Sequence, residues 1–155
     1  MNFVRSTLFL ATVALTGAVA IAAQGPPPQP AGAGVTMAKT WTDGDLDRLM
    51  KEVGGTVGAL RKAIDGQNAE LLKTNADKIE ELFEDVDDFW SARNVHDAAI
   101  TADDAAKHAD HIEDAADAKD FTKAAEHLKL LQGTCASCHM KYRDKGPDGA
   151  YRIKP

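Results

Sequence analysis

The sequence predicts an all-α fold, an antiparallel four-helix bundle, on three observations. After Thr40, four stretches carry apolar residues at helical spacing. Short polar breaks separate them, as tight connections between antiparallel neighbours require. Strand-like alternation is nearly absent, and no proline occurs between Thr40 and Pro147.

The first element opens on Thr42-Asp43-Gly44-Asp45, a capping-box pattern with Thr42 as N-cap. Its apolar series is Leu46, Leu49, Met50, Val53, Val57, Leu60 and Ile64, and Asp65-Gly66-Gln67-Asn68 breaks it. A second stripe runs Leu71, Leu72, Ile79, Leu82, Phe83, Val86, Phe89, Trp90. The third element, about 95–116, is built on alanines around Ile100 and Ile112, and such small residues admit a neighbouring helix closely. Asp117-Ala118-Lys119-Asp120 reads as a turn with Asp120 as the next N-cap. The fourth stripe is Phe121, Ala124, Ala125, Leu128, Leu131, Cys135, Cys138, Tyr142, and it ends before Gly146-Pro147. The third helix supplies too little apolar volume for a full bundle core, so something else must fill the interior.

The chemistry sits on the fourth stripe. Cys135-Ala136-Ser137-Cys138-His139 contains the only two cysteines, in the C-x-x-C-H spacing of covalent haem attachment. Residues three and four apart share a helix face, so both thiols and the imidazole project toward one flat partner. The thiols add to the two haem vinyl groups, and His139 becomes the proximal iron ligand. One motif means one haem c. Two other readings are weaker. A C-x-x-C redox pair opens a helix after a strand, whereas this one sits late in a helix. A structural zinc site needs four N or S ligands, and there is no second cysteine pair. A haem between the helices also makes good the missing core volume.

Residues 1–22 read as a signal peptide. Arg5 is the charged n-region, Thr7 to Val19 is the apolar stretch, and Ala20-Ile21-Ala22 is a small-x-small cleavage pattern. Cleavage leaves no stable membrane insertion. Export to the periplasm fits the cofactor, because haem is joined to reduced thiols outside the bacterial cytoplasm. Residues 23–39 form a Pro/Ala/Gly-rich flexible linker, and 40–155 the bundle domain. Without Arg5 the chain carries 17 Lys and Arg against 24 acids, a net charge of −7 with histidines neutral. An acidic surface argues against nucleic acid and anionic membranes, and permits steering toward a basic redox partner.

The haem-binding end, Cys135-x-x-Cys138-His139-x-x-Tyr142-Arg143, resembles that of the class II cytochromes c, the family of cytochrome c′ and cytochrome c-556. The segment from Met50 to Leu60, a methionine followed by small residues, is similar to the first helix of those proteins. The resemblance spans Thr40 to about Lys145. It implies that Met50 faces the open side of the iron. In c-556-type members a methionine there ligates the metal, and in cytochrome c′ an aliphatic residue leaves it five-coordinate. Of the other methionines left after cleavage, Met37 falls in the linker and Met140 adjoins the proximal histidine. A core methionine on an apolar stripe is the competing role for Met50. The family's Tyr-Arg pair upstream of this position is replaced by Asp45 and Leu46, which leaves Arg48 as a candidate propionate partner. The resemblance also places Arg143 near the proximal imidazole.

Gly54, Gly55 and Gly58 each cost about 1 kcal/mol relative to alanine inside a helix. Close approach of haem, or of a helix across a homodimer contact, would explain them. His96, His108, His111 and His127 are expected to be solvent-exposed, with His108 and His111 spaced for an adventitious metal. With both axial positions filled, the expected function is one-electron transfer, not enzymatic catalysis, with redox proteins as partners. The alternative is a five-coordinate binder of nitric oxide or carbon monoxide.

Overall fold

The computed structural model describes residues 39–154. The expected leader, most of the linker and Met37 lie outside those residues. Four helices follow in order: α1 (Asp43–Asp65), α2 (Ala69–Ser91), α3 (His96–Asp117) and α4 (Phe121–Tyr142). A short antiparallel hairpin of β1 (Arg143–Lys145) and β2 (Tyr151–Ile153) closes the order. Among the described residues no helix is long and apolar enough to cross a membrane.

The helix starts follow the expected local chemistry. Asp45 N donates to Thr42 Oγ1 at 3.2 Å, and Thr42 N donates to the Asp45 carboxylate at 2.9 Å, completing the capping box. Asn68 caps α2 by accepting from Leu71 N at 3.0 Å, and Asp120 caps α4 by accepting from Lys123 N at 3.0 Å. Each interhelical turn places one residue in the left-handed region: Gln67, Asn94 and Lys119, at φ 47°, 59° and 54°. These tight turns make consecutive helices antiparallel.

The core is one cluster whose largest fully buried members are Leu49, Leu60, Leu72, Ile79, Phe89, Ile112 and Leu131. Full burial of each such side chain is worth roughly 1.5–3 kcal/mol. Nine residues of α3 are buried and eight of them are alanines, which lets α2 and α4 pack closely on either side of it. The seam between α1 and α4 is the loosest in the bundle. The expected deficit of core volume is found there.

Two features differ from expectation, the histidines and the chain after α4, and the glycines of α1 are open. His108 and His127 are half-buried instead of exposed, because the alanine face of α3 admits α4 to within side-chain contact. At Gly54, Gly55 and Gly58 an added Cβ would meet nothing within 4 Å among the described residues, so their small size is not required by packing among those residues. The hairpin after α4 was not foreseen. Asp148-Gly149 turns it, with Gly149 at φ 81° and its N–H donating to Gly146 O at 2.9 Å.

Candidate functional site: a cavity between the first and fourth helices

A cavity of about 830 Å³ opens at the loose α1–α4 seam. That lies within the range of about 300–1,000 Å³ usual for cofactor and ligand sites. From α1 it takes Leu46, Met50, Val53, Gly54 and Val57, successive positions on one helical face. Phe83, Val86 and Trp90 of α2 form an apolar wall, and Ala102 and Ala105 of α3 form a shallow floor. Cys135, Cys138, His139 and Tyr142 enter from α4, again on one face. All four sequence-derived site residues, Met50, Cys135, Cys138 and His139, therefore line the same cavity.

Their spread matters as much as their convergence. Among the described residues, the clusters of three His, Cys, Asp or Glu donors close enough to share a point ion are Asp110–His111–Asp114 and Glu80–Asp110–Glu113. Cys135, Cys138 and His139 do not form one. They are arrayed along a wall, suiting an extended partner better than a tetrahedral zinc.

The electrostatics agree. Neither cysteine is in a disulfide. Burial, and then the neighbouring Cys138, pushes the Cys135 thiol above its ordinary range; burial and Asp97 push Cys138 up. Both are held as thiols, the reverse of the lowered values that activate a redox pair. Burial and the adjacent Arg143 push the His139 imidazole down, favouring the neutral form that can donate a lone pair to a metal.

The end of α4 is held from two sides. Lys141 pairs with Asp97 at the start of α3, and Lys141 followed by Tyr142 holds the Asp97 carboxyl down at about 2. On the other side, Lys154 N donates to Tyr142 O at 2.9 Å and Lys154 Nζ to Met140 O at 2.6 Å. The hairpin thus satisfies carbonyls that a helix end leaves open. Trp90 stacks against Tyr142 at 5.1 Å and edge-on against Phe89 at 5.0 Å, which in turn meets Trp41 at 6.3 Å.

Cations also reach the cavity. Arg143, expected on the α4 face, lines it together with Lys51 and the hairpin's Arg152. Arg143 lies over the Tyr151 ring at 3.9 Å, and Arg152 pairs with Asp148 at 2.7 Å. Arg48 does not line it; its guanidinium pairs with Glu52 at 3.2 Å on the outer face of α1. Sequence reasoning missed Arg152 and Tyr151 because three-residue strands carry no periodic signal, although Gly146-Pro147-Asp148-Gly149 was a turn signal.

No protein-family model matches the chain, and no curated protein or solved structure matches it either.

Proposed function

We propose that the chain is a periplasmic monohaem c-type cytochrome of class II type, carrying one electron at a time between redox proteins. One observation supports this above the rest: the C-x-x-C-H residues and Met50 enter a single apolar-walled cavity of about 830 Å³ from opposite helices. In this reading Cys135 and Cys138 would hold haem c through thioethers, and His139 and Met50 would ligate its iron. When bound, the haem supplies an iron that alternates between ferric and ferrous states, the thioether favouring the reduced one.

The remaining lining residues have roles consistent with this. Phe83, Val86 and Trp90 exclude water and lower the local dielectric, which tunes the potential. Lys51, Arg143 and Arg152 line the cavity and would offer cations to a cofactor's carboxylates, whereas Arg48 pairs with Glu52 instead of lining it. The neutral state of the His139 imidazole leaves a nitrogen available without prior loss of a proton. Periplasmic location rests on the leader and on the compartment in which thioether attachment takes place.

Met50→Leu tests the ligand assignment. The exchange nearly conserves volume, so stability should change by less than about 1.5 kcal/mol. The oxidised protein should pass from low to high spin and lose its far-red sulfur-to-iron band. Affinity for carbon monoxide should rise and the reduction potential fall. A parent protein already high-spin at neutral pH and avid for carbon monoxide would overturn the carrier reading in favour of a five-coordinate gas binder. Cys135→Ala with Cys138→Ala should abolish haem staining of the denatured chain, and staining that persists would refute thioether attachment.

A further inference from the structure

Away from the cavity, the bundle brings three histidines together. His108 and His111 lie one turn apart on α3, and His127 faces them from α4. The His111 and His127 ring centroids are 4.7 Å apart, and those of His108 and His127 are 5.7 Å apart. Nδ1 of His108 and Nδ1 of His127 are both shut off from solvent without a hydrogen-bond partner. A polar atom shut off from water favours any partner that can satisfy it, and this seam holds two such atoms. Asp114 joins the group from the α3 side, its carboxylate within 4.8 Å of a His111 nitrogen.

We propose that His108, His111 and His127 bind a divalent transition metal, with Asp114 as an oxygen ligand. Three imidazoles and a carboxylate form a borderline donor set, which selects Zn²⁺ or Cu²⁺ over Mg²⁺ or Ca²⁺. As they stand, the three imidazoles do not bring their nitrogens within 4.8 Å of one another; rotation about the broad imidazole χ2 torsion is what turns them toward one ion at about 2.0–2.1 Å. The metal would satisfy the orphaned nitrogens and clamp α3 to α4.

This site is distinct from the haem cavity, since none of the three histidines lines it. His127 precedes Cys135 by eight residues, about 12 Å along the helix axis. The inference does not depend on the haem reading.

Isothermal titration of the untagged chain, as isolated, with ZnCl₂ tests it. One equivalent should bind, and His127→Gln and His108→Gln should each weaken binding at least tenfold, while His96→Gln leaves it unchanged. Zinc should raise the thermal midpoint of the parent chain but not that of His127→Gln, because a ligand that binds only the folded state stabilises it by mass action. Two results would overturn the proposal. One is parental zinc affinity in both His127→Gln and His108→Gln. The other is binding abolished by Asp110→Asn but retained in those variants, which would assign the ion to the exposed acidic face of α3 alone.

Discussion

Gly55 is exposed in the middle of α1, and a Cβ placed there meets no atom within 4 Å. Gly55→Ala therefore adds a methyl group without displacing anything in this chain. It also removes the conformational freedom that makes glycine a poor helix former, a gain of about 1 kcal/mol. For a folded unit of this size that raises the thermal midpoint by roughly 4 °C. Gly133 of α4 is also open, and the same exchange there should give a similar gain. Gly54 differs because it lines the cavity. Gly54→Ala should give the same gain in a chain lacking the cysteines and, on the proposal that the cavity holds haem, less in the parent, where the new methyl group would compete for space. Thermal and urea melts followed by circular dichroism, with sedimentation equilibrium alongside, separate these effects. A Gly55→Ala variant that is destabilised, or that loses self-association, would refute the reasoning. It would mean that a second copy covers α1 and that the glycine is retained for that contact.

Thr42→Ala removes the hydroxyl that accepts from Asp45 N and donates to the Asp45 carboxylate, leaving only the backbone half of the capping box, and should cost about 1 kcal/mol, read as a lower urea midpoint with an unchanged slope. Asp97 has a folded pKa of about 2, below its unfolded value of roughly 3.9. Its contribution is therefore present above about pH 4 and disappears as the pH falls toward 2, because the unfolded state then takes up the proton first. Asp97→Asn should accordingly flatten the stability profile between about pH 4 and 2 and lower stability at neutral pH by the same amount, a small one because the pair is exposed. An unchanged acid limb would show that the link to Lys141 does not form in solution.

Much of this fold was legible because its rules are local. Thr42 and Asp120 sit where side-chain oxygens must meet free N–H groups, and the stripe from Leu46 to Ile64 defines a helix face without reference to anything distant. The cavity was half legible. The alanines of α3 announced missing volume, and Cys135, Cys138 and His139, one face by their spacing, line the cavity found there. Which cations reach its rim was not. Arg152 arrives through a turn that begins four residues after Tyr142, and Arg48 turns outward to Glu52 because an i,i+4 partner was nearer. The pairing of His127 with His108 and His111 depends on how closely two helices pack, which alanine content suggests but no periodicity fixes.

The aromatic chain from Trp41 through Phe89 and Trp90 to Tyr142 has an optical consequence. Both tryptophans of the protein belong to it, and Trp90 itself lines the cavity. A porphyrin seated there would absorb at the wavelengths at which indole emits and drain the excited state by resonance transfer. Intrinsic fluorescence would then be dark in the loaded, folded protein and bright when the bundle opens or is made without its cofactor. On the proposed function, the chain would carry its own occupancy gauge, readable without any added label.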